Sequence, residues 1–192
     1  MKAEDGIIDD ELELIRAAQN GDLNAMEALI ERHDRQVWRI ALTMAGDEQD
    51  AQEIYQETFT RAWRKIGSFR FQSQFSTWVI RIAVNLCINY RRKRWRRVLL
   101  TGHSIERACP DRDPEHALLN RELEEQIGKA MESLPSGQLA VFSLKMIHGY
   151  KISEIARIMR CAEGTVKNSL FRATRKMREK LTPYLCENAG DS

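Results

Sequence analysis

From Trp78 to Tyr90 the sequence reads WVIRIAVNLCINY, apolar on nearly every side except at Arg81, Asn85 and Asn89. A helix with no polar face to turn toward water must be enclosed by other elements, so this part of the chain has to build a bundle around it. The three exceptions are spaced by four. At about 100° per residue they share one edge with Arg92 and Arg96, a seam spanning roughly 80° of an otherwise buried rod. Burying amides and guanidiniums without partners costs a few kcal/mol each, so the seam opens on solvent, on a protein acceptor or on a ligand. An Asn amide carries both a donor and an acceptor and can pair with a base edge. Asn85 and Asn89 either do that or satisfy backbone groups inside the core, and the residues alone leave both options open.

Apolar residues recur at three and four along most of the chain, without strand-like alternation, which predicts an all-α protein. Asp22 is placed to cap a helix stopped by Gly46, and Asp47 or Asp50 to start another ended by Gly67. Ser76 is the expected cap of the long apolar helix, which runs to the basic cluster ending at Arg97. The sequence TGHSIERACPDRDP carries Gly, two prolines and no periodicity, and is expected to be a flexible linker. Helices resume near Glu115 and run to about Leu185, with breaks at Leu134-Pro135, His148-Gly149 and Cys161 to Gly164. The expectation is two small helical domains, residues 1–97 and 115–192, joined by a linker at 98–114.

Charge is segregated along these segments. Residues 1–60 hold 5 cations and 15 anions, whereas residues 61–97 hold 11 cations and no anion. The swing repeats more weakly, with 4 cations and 8 anions over 98–144, then 10 and 5 over 145–192. Two basic regions imply two contacts with nucleic acid, and the acidic parts face solvent or a basic protein partner. The loop GSFRFQSQF, just before the long helix, adds aromatics to a basic surround, and rings in such a setting can hold unstacked bases. Phe75 and Trp78 are expected in the core; Phe69 and Phe71, beside Arg70, are expected to meet a base.

The segment GYKISEIARIMRCAEGTVKNSLFRATRKMREKL has the pattern of a helix-turn-helix. Ser153 and Thr165 are its expected caps, with Ile152, Ile155, Ala156 and Met159 of the first helix turned inward. In the second helix Val166, Leu170, Ala173 and Met177 face the core, leaving Lys167, Asn168, Phe171, Arg172 and Arg175 on the outer face. Such a face fits a major groove, where Arg or Lys bonds guanine, Asn bonds adenine and Phe touches a thymine methyl.

Other classes find little support. No apolar run reaches the roughly 20 residues that span a bilayer, and the acidic start is unlike a secretory signal, so the chain is expected in the cytoplasm. Cys87, Cys109, Cys161 and Cys186 are widely spaced and expected to be reduced, with packing the foremost role of Cys87, Cys161 and Cys186 and oxidation sensing a lesser alternative. A zinc site would rest only on His103, Cys109 and His116, and no metal or cofactor is expected. No phosphate-cradling Gly loop, activated nucleophile or paired acid and base is present, so no enzymatic reaction is expected.

DAQEIYQETFTRAWRKI, FSTWVIRIAVN, LPSGQLAVFSLKMIHGYKISEIARIM and CAEGTVKNSLFRA resemble, in order and spacing, the extracytoplasmic-function sigma factors of bacterial RNA polymerase. The resemblance covers about residues 10–182. It implies that Asp50, Glu53, Gln56, Glu57 and Arg61 dock on the coiled coil of the polymerase β′ subunit. It implies a minus-ten, single-strand site comprising Phe69, Arg70, Phe71, Ser73, Arg81, Asn85, Asn89, Arg92 and Arg96. Thr165, Lys167, Asn168, Phe171, Arg172 and Arg175 are the corresponding minus-thirty-five readers. It further implies a contact with the β flap, promoter DNA as ligand, an anti-sigma factor as partner, a monomer when free, and a linker threading toward the polymerase active-site channel.

Departures from the family pattern bear on these roles. Phe71 and Arg160 stand where Gly is usual, and Arg160 would sit in a left-handed conformation unfavourable to a residue with a Cβ. Ser169 and Thr174 replace frequent arginines, shifting phosphate anchoring to Arg172, Arg175 and Lys176. The alternative is a free-standing operator-binding regulator, which would use the same helix-turn-helix but leave the acidic helix and the seam at 81–96 without a job.

Overall fold

A computed structural model describes residues 2–101 and 117–189, with side chains described over 10–96 and 122–184. Every regular element among the described residues is helical. Helices α1 (Lys2–Gln19) and α2 (Leu23–Ala45) are joined by a tight turn. The Asp22 carboxylate there accepts the Asn24 and Ala25 N–H groups at 2.9 and 3.2 Å. Gly46 ends α2 with φ 74°, and Asp47, not Asp50, caps α3 (Glu48–Lys65). Instead of stopping at Gly67, the chain tightens into a 3-10 turn over Ile66–Ser68.

The long helix α4 covers Phe75–Thr101. Its first turn includes Ser76, because the Trp78 N–H already donates to the Gln74 carbonyl at 3.2 Å, so the expected Ser76 cap is not used. At the other end α4 takes in 98–101, which the sequence assigned to the linker; the remainder of that linker lies outside the described residues.

The second half comprises α5 (Ala117–Glu132), α6 (Ser136–Phe142) running into a π turn (Ser143–Ile147), α7 (Ile152–Met159) and α8 (Glu163–Ala189). The expected breaks fall where the chain turns. The caps differ: Glu154 accepts the Lys151 N–H at 2.7 Å, and α8 starts two residues before Thr165, so neither Ser153 nor Thr165 is a cap.

Helix α4 is the axis of the fold. Val79, Ile80, Ala83, Val84 and Cys87 are buried against Leu29, Val37, Ile40 and Met44 of α2 and Ile54 of α3. The same core continues into the second half through Val141, Leu144, Ile155, Ile158 and Val166. The two halves, expected as separate domains, therefore pack directly on each other. The physical reason is the all-round apolarity of α4: α2 and α3 cover only part of it, and α6 and α7 cover more. A smaller cluster of Ala130, Leu134, Leu139, Ala173 and Met177 holds α8 on α5 and α6.

Among the described residues, only Phe71 (φ 56°) and Arg160 (φ 52°) hold a left-handed backbone without being glycine. These are the two positions where the sequence departs from glycine. A Cβ there costs about 1–2 kcal/mol, offset in part by the about 0.5–1 kcal/mol that glycine loses in chain entropy. Arg160→Gly should therefore raise stability by roughly 0.5–1 kcal/mol, read as a shift in the urea midpoint at constant slope.

Candidate nucleic-acid interface

The loop at 69–74 is anchored from below. Gln19 of α1 donates its side-chain amide to the carbonyls of Ile66 and Phe69 at 3.0 and 2.9 Å. Phe69 is only 6% exposed, its ring 5.1 Å from Phe71, 5.8 Å from Phe75 and 5.4 Å from Trp78. The expectation that Phe69 meets a base is thus corrected: it is core, held by the aromatic cluster that also contains Phe75. Phe71 sits on that cluster with 42% of its surface exposed, beside exposed Arg70 and half-buried Ser73. Its backbone there is left-handed.

Along α4, Asn85, Asn89, Arg92 and Arg96 are exposed. Asn85 and Asn89 are therefore not satisfied buried amides. Arg81 differs: its Nε donates to the Ile158 carbonyl at 3.2 Å and its Nη2 to the Arg157 carbonyl at 2.8 Å. These carbonyls end α7, where the helix dipole favours a cation. Burial, and then the neighbouring Arg160, lower the Arg81 pKa from its ordinary value. The seam is open over most of its length and closed at Arg81 by the other half of the same chain.

Between α3 and α4 runs a groove of about 490 Å³. Glu53, Glu57 and Arg61 line one wall, and Asn89, Arg92, Lys93 and Arg96 the other. Residues that the sequence assigned to separate protein-binding and DNA-binding surfaces thus face each other across one channel. Gln56 is exposed beside it, and Arg61 pairs with Glu57 at 2.6 Å. Asp50 does not join this exposed set. Its carboxylate accepts from the Tyr90 hydroxyl and from Arg94 at 3.3 Å, so it ties α3 to α4.

On α8, Thr165, Lys167, Asn168, Phe171, Arg172 and Arg175 are all exposed, Phe171 at 66%. The opposite side is core, with Val166 1%, Ala173 0% and Met177 5% exposed. Lys176, expected to help anchor phosphate, instead donates to the Ser133 carbonyl at 2.6 Å and fastens α8 to α5. Arg175 is paired with Glu179 at 3.5 Å.

Arg91 has a structural role that the sequence reading did not assign. It is 7% exposed and donates Nη2 to the Glu132 carbonyl at 3.1 Å and toward that of Leu134, joining α4 to the α5–α6 turn. The only signal was its position off the seam, since 91 falls on the side of α4 opposite Asn89's edge. Burial pushes the Cys87 thiol up to about 12, consistent with packing rather than reactivity. No cluster of metal-ligating residues occurs among the described residues, and His103, Cys109 and His116 lie outside them. No described helix is long and apolar enough to cross a membrane.

Residues 29–97 match Sigma-70 region 2, and residues 124–177 match Sigma-70, region 4. The chain is 32% identical to the RNA polymerase sigma-H factor of Pseudomonas aeruginosa, over 91% of this chain and 95% of that protein. It is 33% identical to the ECF RNA polymerase sigma-E factor of Haemophilus influenzae, over 90% and 95% of the two chains. Among solved structures it is similar to CnrH in complex with the cytosolic domain of CnrY, with TM-score 0.66, 22% identity, and 91% and 97% of the two chains covered. It is also similar to the sigma factor RpoE in complex with the anti-sigma factor NepR from Bartonella quintana, with TM-score 0.64, 23% identity, and 81% and 96% covered. At those identities the structural likeness is one of fold.

Proposed function

We propose a division of labour for this chain, which belongs to the extracytoplasmic-function sigma factors of bacterial RNA polymerase. As a sigma factor it directs core polymerase to promoters in transcription initiation. On our assignment Glu53, Gln56, Glu57 and Arg61 of α3 dock on the β′ coiled coil, with Asp50 acting indirectly by fixing α3 against α4. Phe71, Arg70 and Ser73 take an unstacked base of the minus-ten element, while Asn85, Asn89, Arg92 and Arg96 hold the exposed strand. The outer face of α8 reads the minus-thirty-five element, and the same half meets the β flap. The chain performs no reaction; capture of the single strand supplies the opening free energy, and the polymerase does the chemistry in the cytoplasm.

The observation that carries this assignment is that Asn85 and Asn89 stay exposed on a stretch of α4 that is otherwise buried or half-buried, with Arg92 and Arg96 exposed further along the same edge. A duplex-binding regulator has no use for such a seam.

The two halves must separate for this work. A packed chain of 192 residues has a radius of gyration of about 16 Å. Promoter elements centred near −10 and −35 lie about 85 Å apart at about 3.4 Å per base pair. The 15 residues 102–116 span at most roughly 50 Å when extended, enough to let the halves part. In doing so Arg81 gives up the α7 carbonyls and joins the seam. An anti-sigma factor that held the halves together would keep Arg81 on the α7 carbonyls and keep the two DNA-binding faces from reaching both elements at once; one structural relative, RpoE, is itself in complex with an anti-sigma factor.

Promoter-dependent transcription with purified core polymerase tests the proposal against the free-standing regulator. Transcription only with both components supports it; tight specific gel shift by the chain alone sinks it. The Asn85→Ala, Asn89→Ala double variant should bind core polymerase normally yet lose about 1–3 kcal/mol of strand capture per base contact removed. The measurement is open-complex formation by permanganate footprinting, and unchanged opening would remove the seam from the mechanism.

A further inference from the structure

Five polar side chains from both halves converge on a cavity of about 250 Å³ that no DNA or polymerase assignment uses. Arg35, Gln36 and Arg39 come from α2, and His148 and Tyr150 from the segment leading into α7, with Ile147 forming an apolar wall. Neither guanidinium has a carboxylate or carbonyl partner among the described residues. The His148 Nε2 is fully enclosed and also meets no hydrogen-bond partner there. Gln36 donates to the Tyr150 hydroxyl at 2.6 Å, which uses the phenol oxygen as acceptor and leaves the phenol proton to donate elsewhere. The nearby acids are turned to other tasks. Asp34 accepts the Arg35 backbone N–H, and Glu154, close enough to act on Tyr150, accepts the Lys151 N–H.

Two guanidiniums without a protein partner among the described residues and a free phenol proton supply donors, and the enclosed imidazole nitrogen adds one more in the tautomer that carries its proton there; the Gln36 amide oxygen is the acceptor among them. Guanidinium forks match tetrahedral oxyanions bidentately, and such charge-assisted bonds are about twice as strong as neutral ones. Arg35 and Arg39 are exposed to solvent, so the cost of an unmet group falls on the enclosed His148 Nε2, which favours a ligand that reaches it together with the guanidiniums. We propose that this cavity binds a phosphate group, as inorganic phosphate or as the end of a small phosphate ester, and that the bound anion ties the two halves of the chain together. Because α2 and the His148–Tyr150 segment both supply donors, the anion binds well only when the halves are packed. By linkage it stabilises that state. The consequence for promoter use rests on the separation proposed above; the binding itself does not.

The test uses the full chain, titrated calorimetrically with inorganic phosphate, with adenosine monophosphate and with acetate. Saturable binding of either phosphate species is expected, and which of the two binds tighter identifies the source. Arg39→Gln and Arg35→Gln should each weaken it roughly tenfold or more, whereas Arg92→Gln on the DNA seam should not change it. His148 adds a site-specific readout. Burial and Arg39 hold its pKa below the ordinary value, so a dianion beside it should move its imidazole resonances and raise that pKa. Small-angle scattering should show the compact form enriched on adding phosphate. Absence of saturable binding, equal binding of acetate, or loss of binding in Arg92→Gln but not Arg39→Gln would each overturn the site.

Discussion

Phe75→Ala is expected to remove about 3–5 kcal/mol of stability, the range for truncating a buried aromatic, and to abolish promoter opening with it. Phe75 is 1% exposed and sits at the first turn of α4 among His33, Phe69 and Trp78, with ring separations of 5.3, 5.8 and 5.4 Å. A domain of this size is stable by only about 5–15 kcal/mol, so the loss is a large part of the whole. The cavity would also remove the floor on which the loop at 69–74 rests. Urea unfolding followed by circular dichroism measures the first effect, and a loss below about 1 kcal/mol would contradict the close packing of the cluster. Phe71→Ala separates fold from function. Phe71 is 42% exposed and lies on the edge of the cluster, so the loss of stability should be well below that of Phe75→Ala while open-complex formation falls.

Arg172→Ala should weaken recognition of the minus-thirty-five element by about 1–3 kcal/mol, or roughly 5- to 150-fold in holoenzyme affinity. Arg172 stands exposed at the middle of the outer face of α8, next to Phe171 and one turn from Asn168. It is free of the ion pair that occupies Arg175 and of the carbonyl that occupies Lys176. With those two neighbours engaged by the protein, more of the contact falls to Arg172 than the sequence implied. A salt titration tells which contact it makes. If it touches phosphate, the slope of log affinity against log salt falls by about one; if it reads guanine, discrimination at one base pair is lost at unchanged slope. Unaltered affinity at every salt concentration would mean that this face of α8 does not enter the groove.

Local chemistry was legible from the sequence wherever a single residue decides it. Asp22, Gly46 and Asp47 mark helix ends because capping and left-handed turns need those side chains. The buried stripe of α8 follows from spacing alone. Starts without a strong cap were misplaced: α4 begins at Phe75 and α7 at Ile152, where the first turn is set by packing and by Glu154 reaching back. Contacts distant in sequence were not legible. Nothing in periodicity reveals that Asp50 meets Tyr90 and Arg94, that Lys176 meets Ser133, or that Arg81 and Arg91 reach carbonyls of the other half. Phe69 shows the same gap, because a ring in a short polar loop looks exposed until Gln19 is seen pulling the backbone beneath it inward.

Arg81 has one guanidinium and two claimants. On the proposed role of Arg81 in the strand site, whatever grip the residue 157 and 158 carbonyls keep on it should lower the fraction of molecules ready for DNA, and apparent promoter affinity should drop in proportion. Substitutions that merely reshape the end of α7, touching neither nucleotide nor polymerase, would therefore set how strong a promoter must be before this factor responds to it.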